Sequence, residues 1–195
     1  MTERMEPEWA MVTVLFADIR GFTAYADRAT AREAADHLSG FFEIAVPVVT
    51  RNGGEVNKLL GDGLLAVFRT PDHADRAVAA GVELLAAVGG HCRIGIGLNS
   101  GLVLVGTIGG GGMTELGVIG DPVNVAARVQ DATRELGEPL LLTEATRLLL
   151  ERDRTRLAPR GAIALRGKAA PVAVYGLAHG FVTLSGRRGR RKELA

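Results

Sequence analysis

The stretch Val14-Leu15-Phe16-Ala17-Asp18-Ile19-Arg20-Gly21-Phe22-Thr23, taken with Gly61-Asp62-Gly63, decides the fold of this 195-residue chain. Met11 to Ala17 is a β-prone apolar run that ends on an aspartate. The chain then passes through Gly21 towards a helix. Further on, Glu55 to Leu60 and Leu64 to Phe68 flank Gly61-Asp62-Gly63, a hairpin whose Asp-Gly pair suits a tight turn with positive φ. Each aspartate therefore stands where a strand gives way to a turn. If the two strands are neighbours, the carboxylates can share a pair of divalent cations. Magnesium and manganese take oxygen ligands of this kind together with substrate phosphates. A two-metal centre activates an attacking hydroxyl and neutralises a leaving pyrophosphate. Taken singly, Asp18 reads as a helix cap and Asp62 as a turn former. The turn from Ile19 to Thr23, with Phe22 and Thr23 opening a helix, adds free backbone N–H groups that can hold phosphate.

The rest of the chain follows the same alternation. Leu38, Phe41, Phe42, Ala45, Val46 and Val49 recur at helical spacing, with Pro47 as a kink point. Ala74, Ala77, Val78, Gly81, Val82, Leu85 and Val88 form a second helical stripe. Arg93 to Leu98 and Leu102 to Thr107 read as a hairpin turning at Asn99-Ser100-Gly101, and Gly109 to Gly112 as a loop or arm tip. Glu115 to Ile119 is a short strand. Asp121-Pro122 then starts a helix, with aspartate as the N-cap and proline at the first helical position. On that helix Asn124 and Arg128 share a face, distinct from Val125, Val129, Ala132 and Leu136, which read as buried. Leu140 to Leu142, a helix from Thr143 to about Glu151, and strands near Ile163 and Val172 to Tyr175 complete the pattern. This order predicts an α+β fold, with helices packed on one face of a mainly antiparallel sheet.

Bulk properties narrow the class. The length suits one domain with a core, residues 10–178, between an N-terminal tail at 1–9 and a basic tail at 179–195. A net charge of +1 and few aromatics leave no footprint for nucleic acid. Cys92 is the only cysteine, so a reducing, cytoplasmic setting is the plain reading. Met1 to Glu8 lacks the apolar core of a signal peptide, and the apolar run from Ile94 to Ile108 is divided by Asn99-Ser100-Gly101, so no membrane span is expected. A P-loop in Gly161 to Lys168 fails on spacing. Gly95-Ile96-Gly97 lacks the third glycine of a Rossmann turn.

Four motifs in order then carry a family resemblance: FADIRGFT at 16–23, NKLLGDGLLAVF at 57–68, GIGLNSG at 95–101 and VIGDPVNVAARV at 118–129. From Val12 to Leu177 the chain resembles the class III nucleotidyl cyclases. The resemblance implies a palm-type, ferredoxin-like domain that converts a nucleoside triphosphate, here ATP, to its 3′,5′-cyclic monophosphate and pyrophosphate. It implies two Mg²⁺ or Mn²⁺ ions held by Asp18, Asp62 and the Ile19 carbonyl. It also implies a base-reading lysine (Lys58), a ribose-orienting asparagine (Asn124) and an arginine on the α-phosphoryl charge (Arg128). Arg166, in Leu165-Arg166-Gly167-Lys168, matches a basic residue that contacts the triphosphate. Two subunits pair head to tail in this family. A homodimer would take its metals from one copy and Lys58, Asn124 and Arg128 from the other.

The chain departs from the family's pattern at Gly117. Many adenylate-specific members carry Asp or Thr there as an acceptor for the adenine amino group, and guanylate-specific members usually carry Glu in place of Lys58. Glu115, two residues earlier, faces the same side of an extended strand and is a substitute acceptor. The alternatives are relaxed ATP/GTP selectivity, or a cyclase-like module that binds nucleotide or a partner cyclase chain without turnover.

Overall fold

The computed structural model describes residues 6–110, 113–152, 156–165 and 170–178. Eight strands form one sheet: β1 (Glu8–Ile19), β2 (Glu55–Leu60), β3 (Gly63–Phe68), β4 (Ile94–Gly110), β5 (Met113–Ile119), β6 (Leu140–Thr143), β7 (Leu157–Ile163) and β8 (Val172–Leu177). Among the described residues five helices accompany it: α1 (Phe22–Ala26), α2 (Ala31–Arg51), α3 (His73–Val88), α4 (Asp121–Glu135) and α5 (Glu144–Leu149). The strand order is β2-β3-β1-β4-β6-β8-β7, with β5 paired to β4 off that path. β4 and β6 run parallel and the other pairs antiparallel. This is the expected α+β architecture.

The helices do not all lie on one face, which corrects that expectation. α2 and α3 bury Phe41, Ala45, Ala77 and Leu84 against Leu15, Ile96 and Leu98 on one side. α4 buries Ala126 on the other side, against Val12, Val14 and Val103. The reason is local: β4 is buried at each of positions 94–100, so both of its faces need cover.

The expected hairpin at Asn99-Ser100-Gly101 is also replaced. β4 runs unbroken through it, because the long strand β1 pairs along its length, Val14 with Asn99, Thr13 with Ser100 and Val12 with Gly101. The reversal comes later, at a β4–β5 hairpin whose last described pair is Gly110 with Met113. At α4 the N-cap is Gly120 and Asp121 is already helical, one residue from the expected start. Leu136, expected in the core, is the exposed C-cap residue of α4. α2 begins with a capping box, in which Thr30 accepts from the Glu33 amide and the Glu33 carboxylate accepts from the Thr30 amide.

Candidate active site

β1 and β3 place Asp18 opposite Gly63, and the Ile19 amide donates to the Asp62 carbonyl at 3.0 Å. The two aspartates meet at one end of the sheet, near enough for the Asp62 carboxylate to disfavour the charge on Asp18. Burial, then the nearby Asp62 carboxylate, push Asp18 from 3.8 to about 6. Arg134 opposes that rise and Asp131 adds to it. Among the described residues no group of three or more His, Cys, Asp or Glu side chains gathers around a common point. Two neighbouring carboxylates and the adjoining Ile19 carbonyl are hard oxygen donors. They fit a magnesium- or manganese-type ion that keeps positions for water and phosphate.

Two glycines make room for this pair. The β2–β3 turn is Gly61-Asp62, and the positive φ falls on Gly61 (65°), before the aspartate rather than after it as expected. Gly63 is needed for space: a Cβ there would stand 2.7 Å from the Ala17 carbonyl oxygen and 2.9 Å from Asp18 Oδ1. After β1, Gly21 adopts the left-handed conformation (φ 74°) as the N-cap of α1, with no side-chain cap bond. Thr23 is exposed, and Phe22 packs against the core.

A second group of predicted residues lies elsewhere. Lys58 on β2 forms an ion pair with Glu115 on β5, Nζ to Oε1 at 2.6 Å. Asn57 Nδ2 donates to the Leu116 carbonyl at 2.7 Å and ties the two strands together. Gly117 is buried, and the Ile108 side chain fills the volume that a Cβ at 117 would need. On α4, Asn124 is exposed and Arg128 half-buried one turn later, while Val125 and Val129 face inward.

Within one chain these two groups are apart. The part of α4 beside Asp18 is its C-terminal half: Asp18, Arg20, Gln130, Asp131, Arg134 and Glu135 line a hollow of 190 Å³. Asn124 is ten residues before Arg134, about 15 Å along a helix axis. Lys58 lies on β2 two residues before its end at Leu60, about 7 Å along the strand, and Asp62 is in the turn beyond it. Arg166 lies outside the described residues. A larger hollow of 770 Å³, between α2, α3 and the α5–β7 region, contains none of these residues. The sequence reading missed Gly63 as a spacer and Gln130, Asp131 and Arg134 as neighbours of Asp18. Their helical spacing was the available signal, but nothing local says which strand end they face.

The family model for the adenylate and guanylate cyclase catalytic domain matches residues 5–179. The fold is that of a nucleotidyl cyclase domain, and the chain belongs to the adenylate and guanylate cyclase catalytic domain family. It is 34% identical over 169 residues to an uncharacterized protein of Mycobacterium tuberculosis, covering 83% of this chain and 30% of that protein. It is 26% identical over 178 residues to the terminal-differentiation-specific adenylate cyclase of Dictyostelium discoideum, covering 84% of this chain and 8% of that protein. The chain thus spans less than a third of these relatives. Among solved structures, the adenylyl cyclase CyaB from P. aeruginosa is similar in fold, with a TM-score of 0.81 and 24% identity over 89% of this chain and 96% of that one. The guanylyl cyclase Cya2 has a TM-score of 0.77 and 26% identity over 91% of this chain and 97% of that one. Among the described residues no helix is long and apolar enough to cross a membrane.

Proposed function

We propose that the chain is an adenylate cyclase that forms 3′,5′-cyclic AMP and pyrophosphate from ATP at sites shared between two copies. The observation that carries this reading is the placement of Asp18 beside Asp62, fixed by the pairing of Asp18 with Gly63 and by the bond from the Ile19 amide to the Asp62 carbonyl, so that the charge of one carboxylate disfavours ionisation of the other until a cation or a proton relieves it. Bound there, a pair of Mg²⁺ or Mn²⁺ ions supplies charge neutralisation at the phosphates and a more acidic ribose hydroxyl. Asp18, Asp62 and the Ile19 carbonyl are the holding groups. The amides of the Gly21-Phe22-Thr23 turn receive phosphate oxygens, and Arg166 adds a cation to the triphosphate. From the other copy, Asn124 orients the ribose so that its 3′-oxygen lies in line with the α-phosphorus. The bond from the 3′-oxygen to phosphorus forms, the bond to pyrophosphate breaks and the hydroxyl proton passes to solvent. Arg128, always charged and fork-shaped, stabilises the phosphoryl charge as it develops. The separation of the two residue groups within one chain supports this division of labour between subunits. The catalytic domain is assigned to 10–178 with tails at 1–9 and 179–195, in the cytoplasm.

At the base, Lys58 donates to adenine N1 and Glu115 accepts from the adenine amino group. Their ion pair supports Glu115 as the acceptor that Gly117 does not supply. The same pair offers a donor and an acceptor to guanine O6 and N1–H, so relaxed ATP/GTP selectivity is the second reading, and the missing side chain at Gly117 favours it. Purified protein given ATP or GTP with Mn²⁺ is expected to yield cyclic AMP with the higher kcat/KM, and Asp18→Ala to abolish product. Full activity in Asp18→Ala would refute the carboxylate assignment. ATP binding by calorimetry without cyclic product would instead identify a regulatory nucleotide-binding module, and activity only on adding another cyclase chain would identify a heterodimer subunit.

A further inference from the structure

β4 carries Gly95, Gly97, Asn99 and Gly101 at every second position, the spacing that puts all four on one face of a strand. That face lies under α4. A Cβ at Gly95 would meet the Thr133 hydroxyl, one at Gly97 the backbone nitrogen of Gln130, and one at Gly101 the Pro122 ring. The helix therefore rests with little intervening side chain on the strand, and Asn99 is the exception along this track. Asn99 is only 5% exposed. Its Nδ2 donates to the Pro122 carbonyl, in the first turn of α4, at 3.0 Å. Its Oδ1 accepts from Thr143 Oγ1 at 2.7 Å.

Behind Thr143 the hydrogen bonds continue to the opposite face of the sheet. Thr143 and Thr146 hydroxyls are 3.4 Å apart, Ser100 Oγ donates to Thr146 Oγ1 at 3.0 Å, and Thr13 Oγ1 lies 2.7 Å from both Ser100 Oγ and His73 Nδ1. The six side chains of this network, Thr13, His73, Asn99, Ser100, Thr143 and Thr146, are all buried. A hydroxyl has a single hydrogen, which sets the direction. Ser100 spends its own on Thr146, so Thr13 donates to Ser100 and His73 donates from Nδ1 to Thr13. The chain of donors runs one way, from the first residue of α3 through the sheet to the first turn of α4.

We propose that Asn99 is a positioning residue for cyclisation: by holding the Pro122 carbonyl it sets where the first turn of α4 sits, and with it Asn124 and Arg128. Thr143 fixes which end of the Asn99 amide faces Pro122, because its hydrogen can bond only to the oxygen end. This inference rests on the reading that Asn124 and Arg128 act on the nucleotide. Asn99→Ala and Thr143→Val are therefore expected to lower kcat about 10- to 100-fold, the scale of small misplacements in an active site, with KM for ATP little changed. Thr143→Ser, which keeps both the donor and the cap of α5, is expected to restore most of it. Hydrogen exchange gives a readout that needs no turnover. The Ala126 amide, one helical turn after Pro122, should exchange faster in Asn99→Ala and Thr143→Val but not in Thr143→Ser, while amides at 131–135 keep their protection. Unchanged exchange at Ala126, or faster exchange with kcat intact, overturns the proposal. A wild-type chain that forms no cyclic product sinks the activity reading instead, and the exchange data still decide whether Asn99 holds α4.

Discussion

At the scale of single residues, the space around Asp18 is set by a hydrogen atom in place of a side chain. Gly63→Ala would press a methyl against Asp18 Oδ1 and the Ala17 carbonyl, whereas Gly61→Ala meets nothing within 4 Å and suffers only its positive φ. Gly63→Ala is expected to cut turnover at least about tenfold by displacing the carboxylate. Gly61→Ala is expected to cost about 1–2 kcal/mol of stability. Parallel kinetics and denaturant titrations of the two variants separate these effects. His73 supplies a pH test. Burial lowers its pKa below 6.5, with the Asp72 charge opposing. The unfolded chain then takes up the proton first, so the contribution of neutral His73 is complete above pH 6.5 and is lost as pH falls below it through the folded-state value. His73→Asn keeps a donor near the Nδ1 position and removes the titration. Melting temperature should fall less between pH 7 and pH 5 in this variant than in the parent, a difference in which other titrating groups such as His37 and Asp18 cancel. Equal falls would show that His73 is not held neutral. Asp18, Asp62 and Lys58 were legible in the sequence because turn chemistry and motif spacing mark them. Gly63 as a spacer was not, since the atom it makes room for belongs to another strand.

At the scale of elements, the pairing of α4 with β4 is the contact most directly set by sequence and least obvious from it. The Gly-Ile-Gly-Leu-Asn-Ser-Gly run reads locally as a strand broken by a turn, because Asn, Ser and Gly are turn formers. In the folded chain the same residues are strand, since β1 supplies a partner for each. The period-2 glycines there serve contact with α4 rather than bending. Gly97→Ala should push α4 away from β4, because the added methyl overlaps the backbone of Ala126 and Gln130. Overpacking of this kind costs about 1–3 kcal/mol. The expected result is a lower denaturation midpoint at unchanged m-value. A midpoint equal to that of the parent would mean that α4 is not seated as described. Strand and helix identities were otherwise readable from periodicity, from β2 and β3 to α2 and α3, because burial imposes spacing on any element that covers a core.

At the scale of the whole molecule, the separation of the carboxylate pair from Lys58, Asn124 and Arg128 makes a prediction about assembly. Asp62→Ala and Arg128→Ala should each be nearly inactive alone. In a randomly mixed population, half the dimers pair one variant with the other, and each of these keeps one intact site of two. Recovery of about a quarter of parental activity is expected on that symmetry. No recovery, with heterodimers demonstrated by mass or by tagged co-purification, would reject shared sites. The sequence by itself determined the α+β class and the family, and it marked the candidate site residues, since turn signals, periodicity and motif order are local properties of the chain. Only the tertiary structure decided that Asp18 and Asp62 lie side by side, that Lys58 pairs with Glu115, that α4 covers the opposite face from α2 and α3, and that Asn99 is a strand residue gripping a helix. Those facts depend on which strand lies beside which and in what register, and register is chosen by the joint burial of both faces of the sheet rather than by any one segment.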